Sequence, residues 1–121
     1  MPQIFSVFQI VIDKDLRDLI NKEGHDCHVK SKARIQAMME GDVRLGVMHD
    51  CYTKVAEVVA DDLNHVFEVG NIGPEDRITR LEKMTSISVG DIIADADGNR
   101  WAVMNVGFMP LAPSLQQKEM A

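Results

Sequence analysis

The chain is poor in cysteine, in net positive charge and in long apolar runs, and each shortage closes off a class of protein. Two cysteines in 121 residues, Cys27 and Cys51, do not make the disulfide framework of small secreted domains, so both are read as reduced thiols. Thirteen basic residues against nineteen acidic ones leave a formal net charge of -6. Nucleic-acid backbones are bound by lysine and arginine neutralising phosphate, so nucleic acid is not an expected partner. The longest apolar run near the start, residues 7–12, contains Gln9 and is far too short to span a bilayer. No basic leader with an apolar core stands before it, and residence in a cytoplasm, away from membranes, is the expectation. A phosphate loop and a dinucleotide fingerprint are both missing, so no nucleotide cofactor is predicted.

What is there suffices for a core, since 45% of the residues are hydrophobic and the length suits one domain. The most legible stretch is residues 85–111. Apolar residues dominate 87–94 and 101–106, and Asp97-Gly98-Asn99 between them carries turn chemistry, which predicts a β-hairpin. Gly107 permits a bend or bulge, Phe108 and Leu111 re-enter an apolar layer in a third extended segment, and the rings of Trp101 and Phe108 are read as filling core space. Asp91 is placed to accept from backbone amides near Gly90.

Upstream, residues 4–12 are apolar on both faces, as in a central strand. Asp13 caps a helix with Leu16, Leu19 and Ile20 on one stripe, ending within 21–24. A loop over 25–32 leads to a helix over 32–40, capped by Ser31, with Ile35, Met38 and Met39 facing the core and Gly41 as its left-handed exit. Residues 44–48 are read as a short strand and 52–59 as a longer one; Asp61 or Asp62 then opens a helix whose Leu63, Val66 and Phe67 repeat at helical spacing. After the break at 70–74, a helix over 75–84 carries Arg77, Arg80 and Lys83 on a solvated face. The expected fold is α+β, a compact single domain over 1–113 with a mainly antiparallel sheet and short covering helices, followed by a flexible tail over 114–121. A partly open barrel is the alternative form, should the N-terminal strand and the C-terminal hairpin pair.

Three patterns bear on chemistry. The tripeptide His-Asp-Cys occurs twice, which makes His25, Cys27, His49 and Cys51 a candidate zinc set; the one-residue gap inside each pair is unlike ordinary zinc knuckles. The same residues offer a thiol, an imidazole and a carboxylate for nucleophilic chemistry, although adjacency in sequence does not supply the geometry such a site needs. Asp91, Asp95, Asp97 and Asn99 invite a calcium-loop reading, but counting from Asp95 puts Arg100 where the loop needs glycine and Val106 where it needs glutamate. A hairpin turn accounts for them better. Asp61, Asp62, Glu68, Glu75 and Asp76 concentrate negative charge that suits a basic surface on another protein.

Ser88-Val89-Gly90-Asp91, followed by Asp97-Gly98, Trp101 and Gly107-Phe108, resembles the C-terminal signature of small proteins carried by bacteriophages and related mobile elements. Residues 55–67 and 77–84 are similar in arrangement. The resemblance implies an accessory protein acting in the cytoplasm of a bacterial host; no established mechanism is attached to the pattern, so no catalytic residue is carried over. The leading expectation is therefore a small non-enzymatic protein that binds and modulates a host protein with a basic surface, without a cofactor. The alternatives are a metal-binding or cysteine-dependent module using zinc or thiol chemistry, a structural or self-associating phage component, and an acidic mimic of nucleic acid.

Overall fold

The computed structural model describes residues 2–24 and 27–111. The tail expected over 114–121 lies outside them. Six strands form one antiparallel sheet: β1 (Gln3–Ile10), β2 (Tyr52–Ala60), β3 (Ile78–Arg80), β4 (Ile92–Ala94), β5 (Arg100–Val103) and β6 (Phe108–Pro110). Their order is β3-β2-β1-β4-β5-β6, so β1 is central as its two apolar faces require. Phe5 and Val7 point to one side; beyond a register shift between Val7 and Phe8, the side chains of Phe8 and Ile10 pack on the other.

Helices cover both faces: α1 (Lys14–Glu23), α2 (Val29–Glu40), α3 (Arg44–Met48) and α4 (Leu63–Ile72). Val66 and Val69 of α4 join Phe5, Val7, Val58 and Ile93 in one apolar layer. Each valine so buried stabilises the fold by roughly 1.5–3 kcal/mol. On the opposite face Ala37 of α2 and Val47 of α3 pack with Ile92 and Ala102, while Ala33 meets Ile10 and Cys51. This is the predicted α+β architecture, and the hairpin's turn, its third strand and the caps at Asp13 and Asp62 stand where the sequence places them, whereas the hairpin strands expected over 87–94 and 101–106 are shorter, Ile92–Ala94 and Arg100–Val103. No helix among the described residues is long and apolar enough to cross a membrane.

The barrel alternative fails although its condition is met. The N-terminal strand does pair with the hairpin, through Ser6, Val7 and Phe8 against Ala94, Ile93 and Ile92. The sheet nevertheless ends at β3 and β6, three residues each and not paired to one another. Pro110 further blunts the β6 edge, because it has no amide hydrogen to offer a neighbouring strand.

Four local expectations are corrected. Residues 75–84 are not a helix: a 3-10 turn over Glu75–Arg77 passes into β3, whose Ile78, Thr79 and Arg80 pair with Val58, Glu57 and Ala56. Ladder bonds to the open side of β2 outweigh helical periodicity there. Residues 44–48 form α3 rather than a strand, opened by Asp42, whose Oδ1 accepts from the Arg44 amide at 3.0 Å. The second helix starts at Val29, capped by His28 through Nδ1 on the Lys30 amide at 3.0 Å; Ser31 is buried and its Oγ donates to the His28 carbonyl. Finally, α2 turns Ser31, Ala33 and Ala37 to the sheet and leaves Ile35, Met38 and Met39 exposed, Met39 at 77%. Small residues let the helix approach closely, and that outweighs burying the larger ones.

Candidate functional site

The unusual feature of β1 is its C-terminal end. Its pairing with β4 stops at Phe8, whereas Gln9 continues opposite Thr53 of β2. On the vacated side lies the segment before β4, and the Gln9 side chain, only 4% exposed, takes the place of a strand. Its Nε2 donates to the Thr85 carbonyl at 3.0 Å and its Oε1 accepts from the Thr85 amide at 3.1 Å. The same Nε2 donates to Asp91 Oδ2 at 3.0 Å, an oxygen that also accepts from the Ser88 amide at 3.0 Å. The expectation that Asp91 bonds amides near Gly90 is met, and Gln9 is the partner that sequence did not reveal.

Beside this buried amide and carboxyl opens a groove of about 800 Å³, bounded by the end of β1, α1, α2 and the segment 83–91. Its lining is chiefly apolar, with Ile10, Ile12, Ile20, Ile35, Met38 and Val89. One wall is unfinished. The stripe predicted on α1 forms, yet none of α1's residues is buried, and Leu19 is 38% exposed. A helix held by its cap and one apolar stripe gains most of its stability from packing, so α1 lacks the contact its own sequence is built for.

The charge of the groove opposes that of the molecule. Among the described residues Lys14, Arg17, Arg34 and Lys83 line it, against Asp13 and Asp91. Asp13 is occupied as the cap of α1, accepting from the Leu16 amide at 2.8 Å, and Lys14 pairs with Asp18 at 3.4 Å. Among the described residues Arg17, Arg34 and Lys83 form no ion pair. Burial pushes the Asp91 carboxyl up to about 6, against the pull of the Ser88 amide, the Gln9 amide and the Arg34 charge.

That shift has a sign in stability. An aspartate whose folded value lies above its unfolded one favours the fold when protonated, so the contribution is complete below about 4 and is lost as pH rises through about 6. Asp91→Asn keeps an oxygen for both donors and removes the charge. We expect the variant to be more stable than wild type by about 1–2 kcal/mol at neutral pH, discounted for partial solvent access, with the gap closing toward pH 4. Urea unfolding across that range reads it, and a gap that does not change with pH would contradict the assignment.

The residues singled out by sequence lie elsewhere. Cys51 is buried, its Sγ near the His49 carbonyl oxygen at 3.8 Å, and burial raises its thiol above the ordinary value. A thiol so held stays protonated, which weighs against its use as nucleophile or ligand. Cys27 is half-buried and His49 is exposed at the end of α3; His25 lies outside the described residues. Among those described, no group of three or more His, Cys, Asp or Glu is arranged to hold a metal. The aspartates of the hairpin serve the turn, with Asp95 Oδ1 accepting from the amides of Asp97 and Asn99 at 3.0 and 2.9 Å.

Of the acidic set, Asp62 caps α4 through the His65 amide at 2.8 Å, and Glu75 pairs with Arg80, which lowers its carboxyl below the usual range. Asp61 lies 3.7 Å from the His65 imidazole. Glu68 and Asp76 are exposed without an ion pair among the described residues. No protein-family model, curated protein or solved structure matches the chain.

Proposed function

We propose that this is a non-enzymatic binding protein whose site is the groove between α1, α2 and the segment 83–91. The observation that carries the reading is an amphipathic helix with no buried residue standing at the wall of an apolar groove of about 800 Å³, a volume in the range of ligand sites. An occupant with an apolar body supplies the surface against which Ile20, the residue of the α1 stripe that lines the groove, packs. Among the described residues no histidine or cysteine lines the groove, so the lining offers a place to bind more readily than a set of acid, base and nucleophile. The test is amide exchange in α1 with and without 1-decanol, a neutral alkyl probe; saturable slowing supports the reading and unchanged exchange removes it.

A second contact rests on the opposite charge. Asp61, Glu68 and Asp76 are exposed and have no lysine or arginine partner among the described residues, which supports docking of a basic surface on a bacterial host protein, the setting that the resemblance of residues 88–108 implies. If so, combined Asp61→Asn, Glu68→Gln and Asp76→Asn abolishes capture of that partner from lysate at low salt while leaving the fold intact; undiminished capture would refute the contact.

A further inference from the structure

Resting on the reading of the groove as a binding site, we propose that its ligand is an amphipathic anion, an apolar chain ending in one negatively charged head. The body is assigned by the lining: Ile10, Ile12 and Val89 below, Ile20 on α1, Ile35 and Met38 on α2. The head is assigned by charge. In a protein of net charge -6, the groove is lined by Arg17, Arg34 and Lys83, none of them in an ion pair among the described residues. They come from three separate parts of the chain, α1, α2 and the segment before β4. Guanidinium groups match a carboxylate with two parallel hydrogen bonds, and beside an apolar surface the attraction exceeds its value in open water.

The other occupants fit less well. A second copy of the chain would set the same three cations against their own images. A nucleic-acid strand needs a longer basic track than three residues, on a protein that otherwise repels phosphate. A cationic amphiphile meets like charge in the groove, while a neutral one gains the apolar contact alone.

The experiment compares three probes with one chain and different heads: decanoate, 1-decanol and decyltrimethylammonium, titrated below their micelle concentrations and followed at the Met38 methyl group by NMR. Decanoate is expected to bind at least about tenfold more tightly than 1-decanol, with the ammonium weakest, and the difference to shrink as salt is raised. The double variant Arg17→Gln, Arg34→Gln is expected to remove the preference for decanoate over 1-decanol. Equal affinities for the three heads, or preference for the ammonium, overturns the anion and leaves the groove standing. Absence of a saturable response at Met38 with every probe overturns both.

Discussion

Replacing Gly90 with alanine is expected to cost the fold about 4 kcal/mol and to distort the groove that it lines. Gly90 is a point of close approach between the segment before β4 and α2. A Cβ there would stand 2.7 Å from both the carbonyl carbon and the Cβ of Ala37, and 2.8 Å from its carbonyl oxygen. Most of that neighbour is helix backbone, which yields only if α2 moves off the sheet. The residue is also held from other directions: its amide donates to the Val103 carbonyl at 2.9 Å, and its carbonyl accepts from the Tyr52 hydroxyl. Its φ of +93° adds the ordinary penalty of a side chain in the left-handed region. Gly98 provides the control, since its φ is +90° with nothing within 4 Å of an added Cβ. Gly98→Ala should lose about 1 kcal/mol, from conformation alone. Urea unfolding of both variants separates the effects, and near-equal losses would show that the approach to Ala37 is not what matters.

Gln9→Leu is expected to cost about 3 kcal/mol with little change in packing volume, because its loss is one of hydrogen bonding. The Thr85 amide and carbonyl and the Asp91 carboxyl lose their buried partner together. Leucine suits the apolar run in which the position sits, so a reading from sequence alone would predict a neutral or stabilising change. The destabilisation should appear with faster amide exchange at Thr85 and Ser88 before any change in β2. Stability within about 0.5 kcal/mol of wild type would mean that the segment 83–91 is held by other contacts.

These two positions show what kinds of structure a sequence discloses. The caps at Asp13 and Asp62, the exit at Gly41 and the turn at Asp95 to Asn99 act over two to four residues, and all are legible locally. The strand at Ile78–Arg80 is not, because the partner that makes it a strand is β2, twenty residues upstream at Glu57 and Val58. On α2 the large apolar residues draw attention to Ile35, Met38 and Met39, whereas the distance of helix to sheet is set by Ala33 and Ala37. The groove is the extreme case. Gln9 reads as a flaw in an apolar run and Arg17, Arg34 and Lys83 as solvated charges, and only the meeting of three distant segments turns them into a lined site. The His-Asp-Cys repeat shows the converse, since a local pattern with apparent chemistry has Cys51 buried in an apolar cluster with Ile10 and Ala33.

Binding in the groove requires that α1 be its unfinished wall. Its most direct test is amide hydrogen exchange over residues 18–23 of α1, with α4 as internal reference because Val66 and Val69 already anchor that helix in the core. In the free protein α1 should exchange much faster than α4, and a saturating amount of 1-decanol should slow it by about tenfold or more while hardly altering α4. A helix α1 that is as protected as α4 without ligand, or one whose exchange is the same with and without the probe, would contradict it.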